Sequence, residues 1–331
     1  MTPAAGGGPR LRRLPCRVAP VPDETLESYL CRLAVGNHLA RDLLVEHLST
    51  TGRRGRRRLH LIPLQALAAV TGFTETRLAH ALPEVRQHEP HLRTRTLIGR
   101  VLPVHPNQQR PWCRRCAAGR GITGPVTIWA RCDYAVCLRH RLWVGRGVHH
   151  GDDQLGIADF PDITHAQVRL RRLIRRHGYP RVRHHFLNAY DIQHELSRNP
   201  FAMTPANDRL RRLHAREHTQ FLPWAYVYAA QFPEVVTVLA VISSPFWRRA
   251  AISLDGAERE RFFDEMSRRT EPHPVGHTRA LHSWIYHQRR PPLPDDPDGE
   301  RLLRPRYIGA TGVIPPPEPS AEARAADHAR Q

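Results

Sequence analysis

Two short knuckles constrain this chain more than anything else in it. Cys113 and Cys116 form a C-x2-C pair, and Cys137 with His140 forms a C-x2-H pair twenty residues later. Three thiolates and an imidazole at that spacing supply the four ligands of a tetrahedral zinc site. Residues 106–148 are therefore read as a zinc-ribbon module around one structural Zn2+. Because all four positions are protein atoms, no open position is left for water, which favours a structural role over catalysis. The β-prone runs Ile122–Trp129 and Leu142–Val144 predict a short hairpin. Cys132 lies between the knuckles and is the reserve ligand, although its x4 spacing to Cys137 is less regular and a lone cysteine in a strand is usually a small core residue. Cys16 and Cys31 read as isolated thiols.

Charge narrows the partner. The formal net charge is +19, and all 50 basic residues are arginine, since the sequence contains no lysine. A GC-rich genome accounts for part of that bias. Arginine nevertheless carries a permanent charge on a planar fork that suits phosphate, so the excess points to a polyanion, DNA above all. No segment approaches about 18 consecutive apolar residues, and Met1–Pro15 lacks the apolar stretch of a secretion signal. The expectation is a cytoplasmic, nucleoid-associated protein with no membrane partner and no small-molecule substrate.

Periodicity predicts a mainly α chain: an N-terminal helix-turn-helix-like helical domain, a small zinc ribbon with a short β-hairpin, and a C-terminal helical domain. Residues 1–20 (Gly/Pro/Arg-rich) and 291–331 (Pro-, acid- and Ala-rich) are read as a basic and a Pro-rich disordered tail. Within 21–105, Asp23 is expected to cap a first helix with the apolar stripe Leu26, Tyr29, Leu30, Leu33 and Ala34. A second helix covers Asp42–Leu48, and then come Arg53, Arg54, Arg56, Arg57 and Arg58. Leu64, Leu67 and Ala68, the breaker Gly72, the cap Thr74, and Leu78 and Leu82 give the pattern of a helix-turn-helix. The arginine run is assigned phosphate contacts. Thr76 and Arg77 on the second helix, Thr74–Ala81, are assigned to DNA, with Arg77 as base reader. In the basic helical domain, 155–290, helices are expected from Thr164 to His177, after the Thr204 cap with Pro205, and over Pro233–Ile242, Asp255–Arg268 and Thr278–Tyr286.

Nothing in the sequence reads as catalytic. His214, Glu217 and His218 spell H-x-x-E-H, but that chemistry needs a further ligand and a cleft, and Arg211, Arg212 and Arg216 crowd the helix. Asp152, Asp153 and Asp159 fall in a loop-like stretch and read as solvated acids. The adjacent pairs His149–His150 and His184–His185 are poor chelators on regular structure. There is no P-loop, no dinucleotide fingerprint and no serine elbow.

Two blocks carry a family resemblance. Val21–Leu39 (VPDETLESYLCRLAVGNHL) and Trp112–Val144, with CRRC, Trp129 and CLRHRLWV, resemble the TniQ family of transposition proteins, whose longer actinobacterial-type members also share some later segments. The resemblance implies a helix-turn-helix plus zinc-ribbon accessory protein that helps a transposition machinery select its target site or recruit transposase, with a transposition AAA+ ATPase and transposase as partners. Two other readings stay open: a helix-turn-helix transcriptional regulator outside a mobile element, and a protein adaptor between a targeting complex and an AAA+ ATPase.

Overall fold

A computed structural model describes residues 11–49, 62–86, 109–197, 204–215, 223–270 and 278–289, and over these the chain is mainly α. The N-terminal helices are α1 (Leu26–Gly36), α2 (Arg41–Leu48), α3 (Leu64–Thr71), α4 (Glu75–Ala81) and α5 (Pro83–Arg86). The stripe on α1 is buried as its spacing requires and packs with Leu44, Leu48, Leu67, Leu78 and Val85 in one core. Helix α3 ends where Gly72 adopts φ 67, a left-handed value that suits glycine, and the Thr74 hydroxyl then caps α4 by accepting from the Arg77 amide at 3.3 Å.

Two N-terminal expectations are corrected. Helix α1 starts at Leu26 with Thr25 as its cap, not at Asp23, because Asp23 and Glu24 are drawn into a sheet described below. Residues 11–20 are not a loose tail. Leu11, Leu14 and Val18 cover the α1/α3 core, the Leu14 amide donates to Val70 O at 2.8 Å, and Arg17 Nη2 donates to Gly72 O at 2.9 Å. Three spaced apolar residues were enough to anchor an otherwise Pro- and Arg-rich segment.

The middle of the chain forms two small antiparallel sheets. Strand β1 (Gln109–Pro111) pairs with β2 (Thr127–Trp129), with Arg110 opposite Ile128. After the short helix α6 (Arg114–Ala118), β3 (Val136–Cys137), β4 (Leu142–Trp143) and β5 (Leu155–Gly156) pair in the order β3-β4-β5. Strand β5 lies inside the stretch read as a loop. The N-terminal segment adds a bridge to the first sheet: Glu24 pairs with Ile128, the Thr25 amide donates to Thr127 O at 2.9 Å, and the Trp129 amide donates to Asp23 O at 2.8 Å. This pairing ties the N-terminal helices to the ribbon.

The C-terminal helices are α7 (Pro161–His177), α8 (Tyr179–Leu196), α9 (Pro205–His214), α10 (Trp224–Ile242), α11 (Pro245–Ile252), α12 (Gly256–Thr270) and α13 (Arg279–Arg289). Helix α10 is the hub, packed by α7, α8, α9 and α12. Among the described residues it alone is long and apolar enough to cross a membrane, with mean hydropathy 1.5, yet most of it is buried by its neighbours. It begins nine residues before Pro233, which lies inside the helix rather than at its start. A proline there removes an amide donor and frees preceding carbonyls. Beside it, Ala230 O accepts from Arg209 Nε at 2.7 Å. Arg209, itself buried, also holds Asp162 at 2.6 Å and pairs with Glu234, so one guanidinium joins α7, α9 and α10. Trp143 of β4 is fully buried against Phe232 of α10, ring centroids 5.2 Å apart. The second sheet and the C-terminal helices therefore share a single core, which crosses the expected boundary between 106–148 and 155–290.

Candidate metal centre

The four knuckle residues converge. Cys113 precedes α6, Cys116 lies on it, Cys137 ends β3, and His140 sits in the turn before β4, where its amide donates to Cys137 O at 3.2 Å. Their ligand atoms all lie within 4.8 Å of one another. Cys116 Sγ is 3.7 Å from Cys137 Sγ, and His140 Nδ1 is 3.4, 3.3 and 3.6 Å from the sulfurs of Cys113, Cys116 and Cys137. A tetrahedral ion with metal–sulfur bonds of about 2.3 Å and metal–nitrogen bonds of about 2.0 Å requires ligand separations of about 3.8 Å and about 3.5 Å respectively. The residues present fit such a centre, with Nδ1 as the ligating nitrogen. Cys113 and Cys137 are buried among Leu142 and Val144, while Cys116 and His140 are half-buried.

The titration of the sulfurs follows from their crowding. Cys137 is held down to about 5, first because the Cys113 thiol hydrogen-bonds to its sulfur and then because the His140 amide and ring do so. The same contact pushes Cys113 up, and burial pushes Cys116 up. A bound cation would displace the thiol protons.

Two buried glutamines, which sequence reasoning missed, hold the knuckles in place. Gln154 accepts from the Arg114 amide at 3.0 Å and donates to Trp112 O at 2.8 Å, clamping the backbone on both sides of Cys113. Gln167 on α7 accepts from the Ala135 and Val136 amides at 3.1 and 2.9 Å and donates to Asp133 O at 2.6 Å, which fixes the strand leading into Cys137. No local pattern marks either one. Cys132 is not part of the cluster: it packs against the C-terminal core, and burial pushes its thiol up to about 12. Cys16 and Cys31 are free thiols.

The residues assigned to DNA divide into two groups. Arg53, Arg54, Arg56, Arg57 and Arg58 lie outside the described residues. Thr76 and Arg77 are exposed on α4, as are Glu75 and His80. The Arg77 guanidinium lies 4.5 Å from the centroid of the Phe73 ring, and Arg17 lies over the same ring at 4.0 Å. Two cations are therefore gathered at the α3–α4 turn, and Arg17 comes from the segment read as a tail. Of the H-x-x-E-H motif, His214 ends α9, while Glu217 and His218 lie outside the described residues. Asp153 accepts from the His149 and His150 amides at 3.1 and 2.8 Å, so this acid builds a turn.

A Cys3His tetrad thus sits in a ribbon that a β-bridge ties to the N-terminal helices. The family model TniQ matches residues 15–143. Over this stretch the chain is similar to the TniQ family, a transposition-associated accessory family. No curated protein and no solved structure matches the chain. The matched stretch runs from the N-terminal arm to β4 and so contains the helix pair, the bridge at Glu24 and all four candidate ligands.

Proposed function

We propose that this chain is a zinc-containing, DNA-binding accessory protein of transposition that helps select the target site or recruit the transposase. The observation that carries the reading is the coincidence of the TniQ match with one continuous unit, in which the tetrad, the bridge at Glu24 and the α3–α4 pair are joined. A set of three sulfurs and one nitrogen at tetrahedral separations favours zinc among the common cations. The metal's part is structural, holding α6 and β3 in register so that β2 is available to the N-terminal segment. Helix α4 is the reading helix in this proposal, and the stacking of exposed Arg77 on Phe73 supports its choice as the residue that pairs bidentately with guanine in a major groove. The Arg53–Arg58 run supplies phosphate contacts.

Arg77→Ala is expected to cost about 1–3 kcal/mol on the preferred sequence and little on random DNA. Equal losses on both would remove Arg77 from readout. A second reading, an adaptor that docks a transposition AAA+ ATPase, is favoured by one feature: Val35, Leu39 and Leu43 are exposed at 74%, 41% and 62% around the α1–α2 corner. Co-purification with the ATPase after nuclease treatment, abolished by Val35→Asp and Leu43→Asp, supports it; recovery unaffected by both changes excludes that corner.

A further inference from the structure

The C-terminal helices carry a basic seam outside the TniQ stretch. Arg248 on α11 is half-buried and spends both Nε and Nη2 on a single neutral acceptor, Gln288 Oε1 of α13, at 3.1 and 2.8 Å. It opens onto a cavity of about 380 Å³ lined by Pro245, Arg248, Arg249, Ile252 and Gln288. None of the ion pairs found among the described residues involves Arg181, Arg248 or Arg249. Burial and then the neighbouring Arg181 lower the pKa of Arg248. Burial, Arg176 and Arg181 likewise lower that of His177. Arg181, at the start of α8, thus stands within electrostatic reach of His177 at the end of α7 and of Arg248 on α11.

A partly desolvated guanidinium with no counter-charge among the described residues is costly in the isolated chain, and the group that removes the cost is an oxyanion. Phosphate matches the guanidinium fork in geometry as well as in charge. A row of such cations suits a polymer with evenly spaced phosphates better than a single ion. Aromatic side chains accompany them: Phe246 is 56% exposed and Tyr286 54% exposed. Each lies three residues before an arginine, Arg249 and Arg289, the spacing that places both members on one helix face. Cations interleaved with exposed rings favour nucleic acid over an acidic peptide, which offers nothing to stack.

We propose that this seam binds the phosphate backbone of nucleic acid, with one phosphate seated in the Arg248–Arg249 cavity. The proposal is independent of the reading of α4, because it uses different residues and predicts no sequence preference. The test is fluorescence anisotropy of the full chain with labelled random-sequence duplex and single strand across a salt series. Arg181 and Arg249 are both exposed, so the Arg181→Gln/Arg249→Gln variant should keep its melting temperature. It should weaken binding to random and preferred DNA by the same factor and flatten the log–log salt slope by about 1.4–1.8. Arg248→Gln should do the same to a smaller extent, and inorganic phosphate at high concentration should compete. Arg77→Ala, run alongside, should leave the salt dependence on random DNA in place. Unchanged affinity and slope in the folded double variant would overturn the proposal while leaving the α4 reading intact. Displacement of the chain by a polyglutamate peptide as readily as by random duplex would overturn it in favour of an acidic protein partner.

Discussion

Replacing Glu24 by glutamine tests whether the N-terminal helices and the metal-bearing ribbon are one cooperative unit. The Glu24 carboxylate is fully buried and accepts from the Val21 amide at 2.9 Å, from Ser28 Oγ at 3.0 Å, and from Arg32 Nε and Nη2 at 2.8 and 2.6 Å. Its partner Arg32 is only 10% exposed. Glutamine keeps one acceptor oxygen but turns an NH2 toward other donors, so at least one contact is lost and the guanidinium stays buried without its counter-charge. A charge-assisted hydrogen bond is worth about 1.5–3 kcal/mol, and breaking a buried pair costs about 3–5 kcal/mol. The remaining bond from Arg32 to Ala19 O, at 3.0 Å, offsets part of this, which leaves an expected loss of about 2–4 kcal/mol. That is a large share of a total stability of about 5–15 kcal/mol. The backbone of Glu24 pairs with Ile128, so the damage should reach both sides of the bridge. Urea unfolding followed by circular dichroism and by metal release to a chromophoric chelator should shift together. A loss below about 1 kcal/mol, on a scale where ordinary surface changes stay within about 0.5 kcal/mol, or a shift in helix signal without a shift in metal release, would refute the reasoning.

Gln154→Leu and Gln167→Leu each leave the four ligands intact but free the knuckle backbone, and each should weaken metal affinity by about 10–100-fold in chelator competition; affinity equal to the parent chain's would show that neither clamp matters. His185 is buried, accepts from Trp284 Nε1 at 3.2 Å, and is held down to about 2 by burial and then by the cations around it. Since the unfolded chain takes up that proton near pH 6.5, the His185 contribution is fully present above that pH. It is lost as pH falls, by about 2 kcal/mol at pH 5. His185→Gln should flatten the dependence of the urea midpoint on pH between 6.5 and 5, and an unchanged slope would count against it. Gly147 has φ 82, and a Cβ there would lie 2.4 Å from the Ala225 amide nitrogen at the start of α10. Gly147→Ala should therefore cost at least about 1–3 kcal/mol in a thermal melt, and a neutral result would mean that α10 can retreat without loss.

What the sequence revealed was local. The two knuckles, the left-handed stop at Gly72 and the Thr74 and Thr204 caps each depend on residues a few positions apart, and each occurs where the pattern places it. Pairing across long sequence distances was hidden. Asp23 reads as a cap because aspartate beside an amphipathic run usually is one, and only the approach of β2 pulls Asp23–Thr25 into a bridge. Gln154 and Gln167 look like surface amides until the backbone groups they satisfy come close, 31 to 42 residues away in sequence. Helix α8 was missed because its polar face and paired histidines blur the apolar period, while Val182, Phe186, Ala189 and Tyr190 still fall inward. Pro233 reads as a helix start, and only the packing of the helices around it shows that the helix begins nine residues earlier.

The most direct test of the account is the metal content of the purified chain, measured by native mass spectrometry with elemental analysis. The account predicts one zinc per chain, lost in Cys113→Ala and Cys137→Ala together with the ribbon's fold and retained in Cys132→Ala. The loss should be severe, because metal binding to a site absent from the unfolded chain contributes on the order of 10 kcal/mol to folding. A chain that folds without zinc, or one that keeps zinc in Cys137→Ala and loses it in Cys132→Ala, would contradict it.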